Sequence, residues 1–398
     1  MTKLIDITGK ALAGEWGNDD ETGTGIPVLR TTNFTNEGVV NYESVVTRSI
    51  TKKNIEDKFL RPGDIIIEKS GGSDKQPVGR VIFYEGPENT FLFNNFTGVL
   101  RVKDTSKWFP RFVFYSLYSN YSKGGTRAYE NKTTGLHNLK TDDYVSRFEV
   151  TDANYSEQIK ICDLLDKTTN VIRTRQQQLS ALENLIKARF VEMFGDPVSN
   201  PMRWETIMLE DCLERIDNGK SFVCSDKPRT GNDPAVLKLS AATYGDYRPQ
   251  ENKALLDANQ FIEAAEVHSG DLLFTRKNTP ELVGMAAYVS ITPPKLMMPD
   301  LIFRLVPNEK INPVYLWQLI NCREFRPVIQ AISGGSAKSM SNISKERLGR
   351  ISVICPPRAE QDKLNPFIQQ IDKSKSVIQK SLDETQLLFD SMMQQYFG

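Results

Sequence analysis

The residues best equipped for chemistry in this chain sit in two pairs of polar stretches, most of them bearing glycine. The first pair is Lys69, Ser70, Gly71, Gly72, Ser73, Lys75 and Gln76, with a later run through Thr126, Arg127, Asn131, Lys132, Thr133, His137 and Asn138. The second is Arg276, Lys277 and Asn278, with Gly334, Gly335, Ser336, Lys338, Ser339, Ser341 and Asn342. Arginine, lysine, asparagine, glutamine and serine can bond to base edges. Glycine lets a backbone approach phosphate, and a nearby lysine or arginine supplies a sequence-independent attraction. The same composition also builds an ordinary surface hairpin turn. From these residue types alone, both readings stand.

Catalytic patterns fare worse. Asp64-Ile-Ile-Ile-Glu-Lys69 has the carboxylate and lysine content of a Mg2+-dependent nuclease core, but Glu68 is followed directly by Lys69, without the intervening residue such a core uses. The matching stretch in the second half ends in Thr275-Arg276, so no paired site forms. No G-x-x-x-x-G-K-[ST] phosphate loop or G-x-G-x-x-G dinucleotide turn occurs. No N-P-P-[YF] or D-P-P-Y adenine-methylation run occurs either. The two histidines, His137 and His268, are too few for a histidine metal cluster and read as loop residues. Catalysis by this chain alone is not expected, and no metal site is assigned.

The elements that must hold these loops follow from a repeat. Glu157 to Gly195 returns as Glu360 to Gly398, with Glu-Gln at the start and Phe-Gly at the end of each copy. The offset is 203 residues at both ends (157 to 360, 194 to 397), so the copies align without a gap. Ile161, Leu165, Thr168, Ile172, Arg175, Leu179, Leu182, Ile186, Arg189 and Met193 recur by four and three. So do Leu364, Ile368, Ile371, Lys375, Ile378, Leu382, Thr385, Phe389, Met392 and Tyr396. That spacing is a coiled-coil seam. Arg175 aligns with Ile378 and Lys375 with Ile172, so each helix carries a charge where the other is aliphatic. Such positions fix register, and the two helices are expected to pair within one chain.

The segments outside the helices also echo each other. Ile26-Pro-Val-Leu-Arg30 recurs as Pro234-Ala-Val-Leu-Lys238, and Pro62-Gly-Asp-Ile-Ile-Ile67 as Ser269-Gly-Asp-Leu-Leu-Phe274. Pro110-Arg-Phe-Val-Phe114 recurs as Pro313-Val-Tyr-Leu-Trp317, and Asn138-Leu139 as Asn342-Ile343. Short apolar runs bounded by Gly, Pro, Asn and Asp mark strands, and 108–120 and 313–322 have helical spacing. The expected fold is α+β. Two β-rich domains related by a pseudo-twofold axis are joined by two long helices in an antiparallel coiled coil. The expected division is a first domain at 1–156, a helix at 157–195, a second domain at 196–359 and a helix at 360–398.

Composition sets the remaining bounds. A chain of 398 residues with 39% hydrophobic and 25% charged residues describes a soluble two-domain protein. Five scattered cysteines, with no C-x-x-C, read as reduced cytoplasmic thiols. No membrane span or signal-peptide core is visible. Fifty basic residues offset fifty acidic ones, so any grip on nucleic acid needs local patches or a basic partner.

Phe190-Val-Glu-Met-Phe-Gly-Asp-Pro197, Asn200-Pro201, Trp204 and Pro356-Pro357 before Glu360-Gln361 complete a pattern, together with the two Gly-Asp pairs at 63–64 and 270–271. On these residues and its duplicated plan, the whole chain resembles the specificity subunits of type I restriction-modification systems. One departure is Thr151-Asp-Ala-Asn-Tyr-Ser156, which leads into the first helix without paired prolines. The resemblance implies a non-catalytic reader of double-stranded DNA, each domain touching one half of a split target. It implies docking of two methyltransferase subunits that use S-adenosylmethionine on adenine. Two restriction subunits using ATP and Mg2+ could join them. A helix of ~39 residues would be roughly 58 Å long, enough to set the gap between half-sites. The rival reading is a coiled-coil scaffold with two ligand- or protein-binding domains and no role on DNA.

Overall fold

The computed structural model describes residues 1–133, 136–334 and 340–398, the side chains of residues 132 and 133 excepted. The chain divides into two compact units, Met1–Gln176 with Lys380–Gly398, and Gln177–Gln379. Each unit takes part of both long helices, because the division cuts the first helix after Gln176 and the second after Gln379.

The first long helix is Tyr155–Phe194. The Asn154 carboxamide oxygen accepts from the Glu157 amide at 2.9 Å and caps its start. It stops where Gly195 turns to φ 76° and donates to the Val191 carbonyl. The second long helix is Leu364–Phe397, preceded by a short one at Arg358–Asp362. An unbroken helix from Glu360 was expected, and the structure corrects this. Pro366 has no N–H for the Asp362 carbonyl and its ring crowds that oxygen, so the regular helix begins only at Leu364.

Every expected seam position is buried or half-buried, while the residues off the seam between Arg173 and Lys187 are exposed. In the first unit Ile161, Leu165 and Ile172 share a core with Phe389, Met392 and Met393. In the second unit Ile186 shares one with Leu364, Ile368 and Ile371. Early residues of one helix thus meet late residues of the other, which is antiparallel pairing. The charged seam residue Lys375 reaches out to Glu183 at 3.3 Å.

The two units are built alike. In the first, strands Leu12–Ala13, Thr97–Leu100, Ile65–Glu68 and Val81–Phe83 lie side by side in that order. The second orders Leu213–Asn218, Ile302–Pro307, Leu272–Thr275 and Ala286–Tyr288 in the same way. All pairings in these sheets are antiparallel. Each unit also pairs two strands in parallel, Ile26–Leu29 with Leu92–Phe93 and Ala235–Leu237 with Leu296–Met297. Both faces of the antiparallel sheet are covered, which explains the uninterrupted apolar runs at 65–67 and 272–274. Ile65 and Ile67 enter a core with the helices, whereas Ile66 joins Leu29, Ile82, Phe93 and Val99 on the other face. Leu272 and Phe274 part from Leu273 in the same way.

The repeated Gly-Asp pairs have a local cause. Gly63 and Gly270 adopt φ 95° and 97° before each strand, a conformation open to glycine. Asp64 accepts from the Arg61 amide and holds the Arg101 guanidinium through two bonds of 2.7 Å. Asp271 accepts from the His268 amide and meets Arg304 at 3.0 Å. Asp64 is a structural carboxylate, occupied by its arginine.

A helix in each globular body, Pro110–Ser122 or Pro313–Asn321, receives both long helices. Gln158 is 1% exposed; its carboxamide accepts from the Phe109 amide at 2.8 Å and donates to the Lys107 and Ala153 carbonyls. Gln361 is 0% exposed; it accepts from the Asn312 amide at 2.8 Å and donates to the Lys310 and Pro356 carbonyls. The opposite helix end supplies an aromatic ring. Phe397 lies 5.1 Å from Phe112, and Phe194 lies 4.8 Å from Tyr315. We expect Gln361→Ala to lower the unfolding free energy by about 2–4 kcal/mol, since it strands buried donors and acceptors. Lys375→Ile should change it by less than about 1 kcal/mol, because the pair it breaks is exposed. Urea denaturation of the two variants tests this ordering, and equal losses would refute it.

Candidate nucleic-acid interface

The paired stretches singled out by residue type come together at one end of each unit's central sheet. In the first unit Ser70–Gly72 pairs with Leu136–Leu139, which pairs in turn with Glu130–Thr133. Asn138 lies opposite Ser70 and His137 opposite Gly72, and the Leu139 amide donates to the Lys69 carbonyl at 2.8 Å. In the second unit Lys277 lies opposite Asn342 and Asn278 opposite Ser341. The Ile343 amide donates to the Arg276 carbonyl at 2.8 Å, repeating the contact at Leu139. Gly334 and Asn342 exchange two backbone bonds of 2.8 Å. Gly335, Ser336, Lys338 and Ser339 lie outside the described residues.

Within this edge the expected contact residues divide by burial. Gly71, Ser73, Lys75, Gln76, Arg127 and Asn131 are exposed, and Ser70, Asn138, Lys277, Gly334, Ser341 and Asn342 are half-buried. Lys132 and Thr133 belong to the outer strand. Ser73 and Gln76 close a tight turn that carries Lys75 at its tip, the Ser73 amide donating to the Gln76 carbonyl at 2.7 Å. Lys69 is half-buried, and desolvation lowers the pKa of its ammonium group. The Arg276 guanidinium lies over the Phe303 ring, 4.9 Å from its centre, and donates to the Asn342 carboxamide oxygen at 3.3 Å.

Four residues named as contact candidates are interior, which corrects their expected role. Gly72 is buried because a Cβ there would meet the Val78 amide nitrogen at 2.5 Å. Thr126 is 0% exposed, packed on Gly79. His137 is 5% exposed and bonds through Nδ1 to the Glu130 carboxylate at 2.9 Å, which also accepts from the Val78 amide. Asn278 is 7% exposed and donates to the Thr243 hydroxyl at 3.2 Å. These side chains hold the edge in shape.

Residue types alone missed a third loop, the one that follows the parallel-paired strand in each unit. It begins with a 3-10 turn at Thr31–Asn33 or Leu239–Ala241. In the first unit Arg80 donates to the Thr31 and Phe34 carbonyls and to Asn36 Oδ1, and lies 3.6 Å from the Glu68 carboxylate. Burial raises the Glu68 pKa, and the charge of Arg80 opposes that rise. Gln76 and Tyr118 also bond to Asn36, joining the third loop to the first and to the neighbouring helix. In the second unit Asn278 holds Thr243, and the Trp317 indole donates to the Gly245 carbonyl at 2.7 Å. Beyond that anchor Tyr244 is 55% exposed, and the Arg248 guanidinium lies 4.7 Å from its ring centre. The polar runs Arg30–Asn36, directly after its apolar strand, and Tyr244–Arg248, a few residues beyond its own, were the available signal.

The family model described as type I restriction modification DNA specificity domain matches residues 201–385. Residues 201–385 are thus similar to such a specificity domain. It is similar to the specificity subunit of the type I restriction enzyme EcoEI from Escherichia coli, 34% identical over 197 residues. That alignment covers 48% of this chain and 33% of the relative. A putative type I restriction enzyme MjaX specificity subunit from Methanocaldococcus jannaschii is 24% identical over 206 residues, 50% of this chain and 46% of the relative. The chain thus spans between about a third and a half of the length of these curated relatives. The fold also matches solved structures. One is the S subunit of a type I restriction-modification system from M. genitalium, with TM-score 0.59 and 15% identity over 100% of this chain and 95% of that one. Another, described as the structural basis of complex assembly and conformational transition of the type I R-M system, gives TM-score 0.51 and 15% identity over 100% and 96%. The matched stretch falls almost wholly in the second globular body and its helix. The first unit repeats the order of that domain's central sheet, so the resemblance read from the repeat extends there by topology.

The interior histidine gives a test. His137→Leu should cost about 1–3 kcal/mol by removing its bond to the buried Glu130 carboxylate, which then keeps only the Val78 amide of these two partners. Arg127→Ala, at an exposed position, should leave stability within about 0.5 kcal/mol. Thermal unfolding of both variants measures the difference, and equal melting temperatures would contradict the interior role.

Proposed function

We propose that this chain is the non-catalytic, sequence-reading subunit of a type I restriction-modification complex. Each unit reads one half of a split double-stranded DNA target. The observation that carries this reading is the repeated edge, where a lysine- or arginine-bearing loop pairs with a polar strand at the equivalent end of both sheets. Exposed donors such as Lys75, Gln76, Arg127 and Asn131 suit a groove, while the interior residues beneath them fix the loop geometry. A net charge of zero fits a reader whose grip on DNA comes partly from other subunits.

The outer faces of the long helices are the proposed docking surface for two methyltransferase subunits. Val171, Leu185, Val377 and Leu387 are 43–70% exposed there, beside the exposed Arg173, Gln176, Lys187 and Gln386. S-adenosylmethionine for adenine N6 methylation belongs to those subunits. ATP and Mg2+ belong to two restriction subunits in an assembly that also cuts. Among the described residues no helix is long and apolar enough to cross a membrane. The proposed location is the cytoplasm, where the DNA is.

Mapping adenine methylation genome-wide, with this chain co-expressed with its methyltransferase, tests the reading. A split motif that disappears when the chain is deleted is the expected result. Methylation independent of the chain would favour the scaffold reading instead. Replacing residues 1–156 with those of another such subunit should change one half-site alone, and a change in both would refute independent readers. Adding about one helical turn to both long helices should lengthen the unspecified gap and leave the half-sites intact.

A further inference from the structure

Resting on that DNA-reading role, we propose that Arg248 in the second unit specifies a guanine, with Asp246 and Tyr244 as its positioning residues. The loop after Ala235–Leu237 is pinned by the Asn278 bond to the Thr243 hydroxyl, by the Trp317 bond to the Gly245 carbonyl and by the Arg248 amide donating to the Ala241 carbonyl at 2.9 Å. The first of those anchors comes from the strand that pairs with Ser341–Asn342, so the loop is tied directly to the candidate interface. All three sit within five residues of Arg248.

The side chain is then aimed from two directions. Its Nε donates to the Asp246 carboxylate at 2.8 Å, and its guanidinium carbon lies over the Tyr244 ring, 4.7 Å from the ring centre. Among the described residues no hydrogen bond engages its two terminal amino groups. Guanine presents O6 and N7 as adjacent acceptors in the major groove, the pair that an arginine fork meets with two parallel bonds. Fixing an arginine before contact lowers the rotamer entropy lost on binding, which favours a reading role over a loose phosphate contact. The nearby Glu251 is already engaged by the Ser240 hydroxyl and by Lys238 at 3.6 Å, leaving Asp246 as the orienting carboxylate.

Methylation mapping of the full chain with its methyltransferase decides this. The unaltered chain should give a split motif with a guanine in one half-site. With Arg248→Ala that position should become degenerate, discrimination there falling on the order of tenfold or more. The other half-site and the melting temperature should stay unchanged. Tyr244→Phe keeps the ring and should preserve the motif. If Arg248→Ala abolishes methylation altogether, Asp246→Asn decides: it should relax the same single guanine, and an unrelaxed motif overturns the proposal. An Arg248→Ala motif identical to the original also overturns it, as does an original motif with no guanine. In both of those cases the DNA-reading role stands. No split motif from the unaltered chain would instead remove that role itself.

Discussion

The structure depends on one repeated interior contact, a buried carboxamide that fastens the entry of a long helix to a globular body. Gln158, in the first turn of its long helix, and Gln361, in the short helix before the second, each satisfy an amide and two carbonyls. A group this deeply buried is held in one geometry, because any displacement strands several polar atoms away from water. The other long helix closes the same site with a phenylalanine against Phe112 or Tyr315. Each unit is therefore assembled from both helices. Neither helix alone completes a core.

From that anchor the geometry passes outward through the central sheet. Its residues alternate between two cores, so a shift of one position would exchange every side chain between them. The Asp64–Arg101 and Asp271–Arg304 pairs fix the start of the middle strand. The strand's far end carries Lys69 or Arg276 into the candidate interface. The loops are thus placed by a rigid layer, as a reading surface requires.

The sequence was legible where periodicity or repetition carried the signal. A helical seam needs only apolar side chains every 3.5 residues, and all twenty seam positions proved protected. The gap-free copies of the helix, with Glu-Gln and Phe-Gly at their ends, exposed a duplicated plan. The roles of those end residues were less visible. Gln158 reads as a surface residue until the chain folds Lys107 and Phe109 against it. His137 and Asn278 likewise looked like donors for a ligand, yet their partners Glu130 and Thr243 occupy them.

What the sequence determined by itself was the duplicated α+β architecture, the helix pair and the loops rich in bonding groups. These follow from local pattern, and local pattern is written in consecutive residues. The tertiary structure alone decided which polar groups face solvent and which are consumed inside. It also brought Tyr244 and Arg248 into a tethered loop beside Asn278. Hydrogen-bond partners distant in the chain set both outcomes. Burial and pairing are properties of the assembled surface, and no spacing between neighbouring residues encodes them.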